Sequence, residues 1–181
     1  MAIQSLKIVH SESGSSGLEK TQVKVEFDLD SRAALLKAKF KVDGVPSFTN
    51  SKLPMGASAW GLWEWDVVEV FLRASPQPTY YEFQISPLGQ YFELEIFKPR
   101  KKFNKDFSSG FTHSSKVLSE TAWEAEFGIP LKKLGWTGAK EDLQGNAFAI
   151  LGKPRSYWSL FLPAQEKPDF HLPRHFKPIF L

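Results

Sequence analysis

The sequence of 181 residues contains no cysteine. This absence excludes a disulfide scaffold, a thiolate zinc site, an iron–sulfur cluster and a cysteine nucleophile. The sequence also has no GxSxG turn, no HExxH pair and no glycine-rich phosphate loop, so three common kinds of catalytic or nucleotide-binding site lack their motifs. Its four histidines show no common ligand spacing, and Asp28 with Asp30 offers calcium only two acids. The sequence therefore assigns no metal site.

Long apolar runs are absent as well. No stretch approaches the ~20 consecutive apolar residues that a membrane-spanning helix requires. The first residues, MAIQSLKIVH, lack the basic segment followed by an apolar segment that is typical of a signal peptide. We therefore expect no membrane partner and, by default, a cytoplasmic location.

The excess of positive charge is confined to one short segment. The chain has 23 basic and 20 acidic side chains, and five of the basic ones lie in KPRKKFNK at 98–105. Without these five, the acidic side chains would be in slight excess. Such a segment could contact an acidic polysaccharide or phosphate groups, or it could be a solvated hairpin end. No nucleic-acid-binding motif accompanies it, so we expect no nucleic-acid partner.

Alternating apolar and polar residues are the main structural pattern of the sequence. Over 21–30, valine, phenylalanine and leucine alternate with charged or polar residues, which is the period of a half-buried strand. We predict strands at 21–30, 35–44, 66–74, 80–85, 91–97, 117–119, 123–129, 147–151, 157–162 and 176–181. Residues 45–61 are predicted to form a long loop, and 130–135 a helical turn closed by Gly135. This pattern predicts an all-β fold, an antiparallel β-sandwich forming a single domain over residues 1–181.

Three tryptophans crowd the end of the long loop. Trp60, Trp63 and Trp65 have spacings of three and two, so one buried face cannot hold them all. An indole ring can stack on the apolar face of a sugar while its N–H donates a hydrogen bond. The alternative interpretation is a set of loop aromatics that pack over the end of the sandwich.

Polar residues on two predicted strands are candidates for hydroxyl binding. Glu69 lies on an otherwise apolar strand, where a carboxylate is costly to bury unless it is paired. It could accept hydrogen bonds from a sugar, or form an ion pair with Arg73 on the same face. Tyr80, Glu82 and Gln84 share one face of the following strand, which a binding site or a plain solvent-facing surface would explain equally well.

The C-terminal stretch contributes the remaining candidates. Arg155 and Trp158 lie within RSYW, and His171 lies beside aromatic residues and an acid in PDFHLP. We count His171 among the ligand-binding candidates, although a structural hydrogen bond is the more common role for such a histidine.

The order of four segments resembles a known family. These segments are GLWEWDVVEVFL, YYEFQISPLGQYFELEIF, WEAEFGIPLKKLG and SYWSLFLP followed by PDFHLPRHF. Together, over about residues 20–181, they resemble the family 9 carbohydrate-binding modules and the related DOMON-like β-sandwich domains.

The resemblance implies a sandwich whose ligand slot clamps a terminal sugar ring between two tryptophans. Trp63 matches the first tryptophan, and Trp158 is the best match for the second. Glu69 matches the family's hydroxyl-binding carboxylate, and Arg155 lies where polar partners precede the second tryptophan. The family arginine that follows the first tryptophan has no match here, because Glu82 and Gln84 occupy that region. The resemblance also implies structural calcium, whose ligands do not map onto this sequence.

We therefore expect a non-catalytic protein that binds a mono- or oligosaccharide and needs no cofactor. Three alternatives stay open. A DOMON-type redox domain could hold haem between Met55 and His171. A glycosidase could use two of the acids Asp66, Glu69 and Glu82. An interaction domain with no small ligand would keep its tryptophans packed rather than exposed.

Overall fold

The computed structural model describes residues 3–14, 17–74 and 77–180. The chain folds into antiparallel β-strands, as the sequence pattern predicts. The strands are Ile3–Ser5 (β1), Lys7–Ser11 (β2), Gln22–Asp30 (β3), Leu35–Asp43 (β4), Val67–Ala74 (β5), Tyr80–Ile85 (β6), Tyr91–Lys98 (β7), Lys102–Asn104 (β8), Thr112–Ser119 (β9), Ala122–Pro130 (β10), Leu143–Leu151 (β11), Ser156–Ser159 (β12) and Lys177–Pro178 (β13). Short 3-10 helices span Leu62–Glu64, Leu131–Leu134, Lys140–Asp142 and Pro173–His175.

The strands form two sheets. The smaller sheet has the order β1-β3-β4-β10-β9. The larger sheet has the order β2-β12-β11-β5-β6-β7-β8, and β13 pairs with β11 outside this path. One hydrophobic core contains side chains from both sheets, among them Phe40 and Phe127 from the smaller sheet and Val70 and Phe83 from the larger one. The predicted antiparallel β-sandwich is therefore confirmed.

The larger sheet is covered on both of its faces. Its outer face, which points away from the smaller sheet, carries a second hydrophobic cluster that includes Phe71 and Phe148. Leu62 from the loop before β5 and Phe170 and Phe176 from the tail after β12 pack onto that face. Burial from both sides explains why every residue of β6 and all residues of β5 except Arg73 are buried.

Several element boundaries differ from the sequence-based prediction. Strands β1, β2 and β8 are absent from that prediction, because each is short and carries no extended alternation. The predicted strand at 157–162 ends at Ser159, and the one at 176–181 reduces to β13. Leu181 lies outside the described residues. The predicted turn at 130–135 is a 3-10 helix, and Gly135 closes it with a φ of 75°, a conformation that favours glycine.

Candidate functional site

A pocket with a volume of about 390 Å³ lies on the outer face of the larger sheet. Strands β5, β6 and β7 form its floor. Its walls come from three separate segments: the loop before β5, the hairpin between β7 and β8, and the tail after β12. Aromatic side chains of these segments line the pocket, namely Trp60, Trp63, Phe103 and Phe170, and Phe92 on β7 and Tyr157 on β12 add to them.

Strand pairing brings the polar residues of the floor together. Glu69 on β5 lies directly opposite Gln84 on β6, and Phe71 lies opposite Glu82. Because side chains two residues apart on a strand share a face, all four point toward the pocket. The prediction that Glu82 and Gln84 share one face is confirmed by this register.

Gln84 bridges the two carboxyl groups of the floor. Its side-chain Nε2 donates one hydrogen bond to Glu69 Oε1 at 3.0 Å and another to Glu82 Oε1. The three side chains are almost completely buried, with exposures of 2% for Glu69, 5% for Glu82 and 1% for Gln84. The remaining oxygens Glu82 Oε2 and Gln84 Oε1 have no hydrogen-bond partner within the described part of the chain. Buried polar atoms normally have a partner, so these two acceptors call for a donor that the described residues do not supply, such as a water molecule or a ligand.

Burial also sets the charge of the floor. It raises the pKa of Glu82 to about 7, and it raises the pKa of Glu69 well above its usual value, with a further contribution from the nearby charge of Glu82. Burial lowers the pKa of His171 to about 4, so this imidazole is neutral near pH 7. His171 Nδ1 is hydrogen-bonded to the Tyr80 hydroxyl at 2.9 Å, and its Nε2 lies 3.9 Å from Glu82 Oε2.

The aromatic rim is built around Trp60. Its ring stands perpendicular to that of Trp63, with centroids 4.7 Å apart, and it lies 5.3 Å from Phe92 and 5.9 Å from Phe103. The ammonium of Lys105 lies 3.7 Å from the centroid of the Trp60 ring. Trp60 and Trp63 remain 46% and 37% exposed, so their rings are accessible at the pocket mouth.

The predicted placement of Trp158 in the binding site is wrong. Trp158 is only 4% exposed and belongs to the core between the two sheets, where its Nε1 donates a hydrogen bond to Ser156 Oγ. Its neighbour Tyr157 points to the opposite face and lines the pocket. Trp63 and Trp158 therefore do not face each other across a slot, and Tyr157 is the aromatic residue that β12 presents to the pocket.

Arg155 is not on the pocket wall either. Its guanidinium forms a buried ion pair with Asp66 Oδ1 at 3.3 Å and donates hydrogen bonds to the backbone oxygens of Trp63 and Trp65. Asp66 also accepts hydrogen bonds from the backbone N–H groups of Phe48 and Gly152. Arg155 therefore holds the loop that carries Trp63, which is a positioning role rather than the predicted contact with a ligand.

The structure brings five of the predicted residues to one pocket: Trp63, Glu69, Glu82, Gln84 and His171. Arg73, which could have paired with Glu69, instead donates a hydrogen bond to Gln144. Sequence reasoning missed Phe103, Tyr157, Phe170 and Arg100, and it named Trp60 only as a member of the tryptophan cluster. Arg100 lies in the basic segment 98–105 and forms an ion pair with Asp169 of the tail at 2.6 Å.

Neither haem nor a metal finds an obvious donor set at this pocket. Met55 is 78% exposed and lies outside the pocket that His171 lines. No cluster of three or more His, Asp or Glu side chains suited to a metal ion occurs in residues 3–14, 17–74 and 77–180. The calcium implied by the family resemblance therefore stays a prediction without assigned ligands.

In residues 3–14, 17–74 and 77–180, no helix is long and apolar enough to cross a membrane.

Two solved structures share this fold. A provisionally named carbohydrate-binding protein from Bacteroides uniformis superposes with a TM-score of 0.77 at 16% identity, covering 98% of this chain and 84% of that one. A family 9 carbohydrate-binding module from Caldicellulosiruptor kristjanssonii, in complex with cellotriose, gives a TM-score of 0.63 at 14% identity, covering 97% and 80%. The fold is therefore that of a carbohydrate-binding-module-like β-sandwich.

Sequence relatives identify the family. The chain is 30% identical over 145 residues to the UPF0462 protein C4orf33 homologue of Rattus norvegicus, covering 74% of this chain and 69% of that protein. It is 29% identical over 144 residues to the human protein UPF0462 protein C4orf33, covering 73% and 68%. The chain belongs to the UPF0462 family. No family model matches it.

Proposed function

We propose that this protein binds a mono- or oligosaccharide without catalysis, with one sugar ring in the pocket on the outer face of the larger sheet. The observation that carries this proposal is the pair of unpartnered acceptors, Glu82 Oε2 and Gln84 Oε1, in the floor of an aromatic-walled pocket. Sugar hydroxyls donate the hydrogen bonds that these oxygens lack. The likeness of the fold to a module solved with cellotriose supports the same ligand class.

The walls suit the apolar face of a sugar ring. Trp63 presents part of its indole at the mouth, and Tyr157 and Phe170 line the pocket from the side of β12 and the tail. Stacking on such rings removes apolar C–H surface from water, while the floor fixes the orientation of the hydroxyl groups. A volume of about 390 Å³ lies at the small end of ligand pockets, which favours a single ring over a longer chain segment.

The arrangement of the two carboxyl groups supports binding over hydrolysis. A glycosidase places its acid and its second carboxylate on either side of the bond to be cleaved. Glu69 and Glu82 instead lie side by side on the floor, and the Gln84 amide between them bonds to both. Asp66 is held away from the pocket by its backbone donors and Arg155. An interaction domain without a small ligand would leave the partial exposure of Trp60 and Trp63 unexplained.

The first test is binding to a glycan array, followed by calorimetric titration of the tightest saccharide into the wild type and Trp63→Ala. We expect this substitution to weaken binding by about tenfold or more, because it removes an indole from the pocket wall. Trp65→Phe is the matched control, since Trp65 lies two residues away, stacks on Phe48 and does not line the pocket.

The control should bind as tightly as the wild type, and both variants should keep the thermal unfolding midpoint within a few degrees. The proposal is contradicted if no saccharide binds, or if a saccharide binds equally well to the wild type and the folded Trp63→Ala variant.

A further inference from the structure

The floor of the pocket offers acceptors but little positive charge. The cationic or potentially cationic groups near the two carboxyls are His171 and Arg100. His171 lies 3.9 Å from Glu82, but burial lowers its pKa to about 4, so it is uncharged near pH 7. Arg100 is paired with Asp169 at the rim. The hydrogen bonds from the neutral Gln84 amide are therefore the main compensation that the described residues offer to two buried carboxyl groups.

Two buried carboxylates in contact with one amide are costly unless something neutralises them. A proton can do so, which agrees with the raised pKa of both Glu69 and Glu82. A bound cation can also neutralise them, and near neutral pH its binding is coupled to the release of protons from the floor. No group of three His, Asp or Glu side chains suited to a metal ion occurs among the described residues, so a metal ion would need Gln84 and water to complete its ligands.

The walls favour an organic cation over a bare ion. An ammonium group is attracted to the faces of tryptophan, tyrosine and phenylalanine rings, most strongly where water is excluded. The protein itself shows this preference at the rim, where the Lys105 ammonium lies over Trp60. A primary ammonium has three N–H donors, and Glu69, Glu82 and Gln84 present three acceptor side chains on one floor.

We infer that the pocket selects a saccharide carrying a free ammonium group, which contacts Glu69, Glu82 and Gln84 while the sugar ring lies against the aromatic walls. This inference rests on the proposed function and narrows its ligand class to amino sugars. The basic segment 98–105 does not oppose such a ligand at the floor, because Arg100 and Lys105 are engaged by Asp169 and Trp60 at the rim.

The test is calorimetric titration with three sugars that differ at one position: glucosamine, glucose and N-acetylglucosamine. The galactose series is titrated in parallel, and methylammonium chloride is the probe for a primary ammonium without a sugar. We expect the wild type to bind at least one amino sugar about tenfold or more tightly than its neutral parent and its acetylated form. Glu82→Gln keeps the shape but removes the charge, so it should abolish that preference, and Glu69→Gln is the second variant.

Glu64→Gln is the matched control. It removes an exposed carboxylate next to Trp63 that does not line the pocket, so the preference for the amino sugar should persist.

The outcomes separate the inference from the proposed function. Equal affinity for neutral and amino sugars, or a preference that survives in folded Glu82→Gln and Glu69→Gln, overturns the inference and leaves saccharide binding standing. Binding of methylammonium with no binding of any sugar supports the cation site and contradicts the saccharide function. If neither sugars nor methylammonium bind, both are contradicted. Should the variants fail to fold, the comparison of the three sugars on the wild type decides.

Discussion

Burial decides the charge of the residues on the pocket floor. Glu69 and Glu82 would ionise below neutral pH on the surface, but desolvation favours their protonated forms in the pocket. For Glu82 the pKa rises from 4.5 to about 7, so the folded protein holds a proton that the unfolded chain releases between those values. Stability linked to this proton is fully present below pH 4.5 and is lost as the pH rises through about 7.

Glu82→Gln should therefore gain stability over the wild type as the pH rises. The amide cannot ionise, so its unfolding midpoint relative to the wild type should increase from below pH 4.5 to above pH 7. Thermal unfolding across this range measures the difference. The lowered pKa of His171 makes the protein less stable as the pH falls. Asp66, whose pKa burial raises to about 6, changes the stability with pH in the same direction as Glu82. Both residues are present in the wild type and in the variant, so their contributions to the difference largely cancel.

Glu64→Gln is the control and should run parallel to the wild type at every pH. A constant difference between Glu82→Gln and the wild type would show that folding leaves the pKa of Glu82 unchanged, contrary to the proposed state of the floor.

The sequence predicts which residues line the site where one face of a strand is polar. The alternation of Glu82 and Gln84, together with the isolated acid Glu69, indicates the floor from the amino-acid pattern alone. The prediction for Trp158 fails for a physical reason. The larger sheet is covered on both faces, so the aromatic residues Tyr157 and Trp158 both pack against a hydrophobic cluster. Alternation alone therefore cannot say which of the two points to the core.

Segments outside the central strands β5, β6 and β7 form most of the walls of the site. The loop before β5, the β7–β8 hairpin and the C-terminal tail converge over the outer face of the larger sheet. The Asp66–Arg155 pair connects the end of that loop to the start of β12. Because Arg155 also bonds to the backbone oxygens of Trp63 and Trp65, it fixes the position of the tryptophan that we propose stacks on the sugar.

Arg155→Gln should destabilise the protein by about 3–5 kcal/mol, because it leaves the buried Asp66 carboxylate without its cation. The double variant Asp66→Asn/Arg155→Gln should recover part of this loss. Denaturant unfolding of the three variants measures the free energies. Lys39→Gln, which removes exposed ion pairs with Glu124 and Glu126, is the control and should change stability little. An Arg155→Gln variant as stable as this control would contradict the anchoring role.

The convergence of these segments is beyond prediction from the sequence. The composition of the basic segment 98–105 suggests a solvated hairpin end or an anion-binding site, yet Arg100 and Phe103 line the pocket. Its contact with the tail through Asp169 joins residues far apart in the sequence. Loops and tails have no periodicity that would reveal such a contact, whereas the strands that form the floor do.

The whole molecule uses its two sheets differently. The smaller sheet supplies one side of the main core, while the larger sheet supplies the other side and also the pocket floor. This division explains why alternating apolar residues predict the sandwich correctly. It also explains why they do not predict which loop and tail residues cover the outer face of the larger sheet. That residues 1–181 form one domain stays a prediction, which the shared core between the sheets supports.

The saccharide that we propose for the pocket on the outer face of the larger sheet should change the indole N–H signals of the tryptophans at its mouth. Each of the six tryptophans has one indole N–H group, whose resonance single substitutions assign. On addition of the tightest-binding saccharide from the array, we expect the resonances of Trp60 and Trp63 to move while those of Trp123 and Trp158, which are buried in the core, stay in place. Movement of Trp158 or Trp123 with Trp60 and Trp63 unchanged, or no movement at saturation, would contradict the proposal.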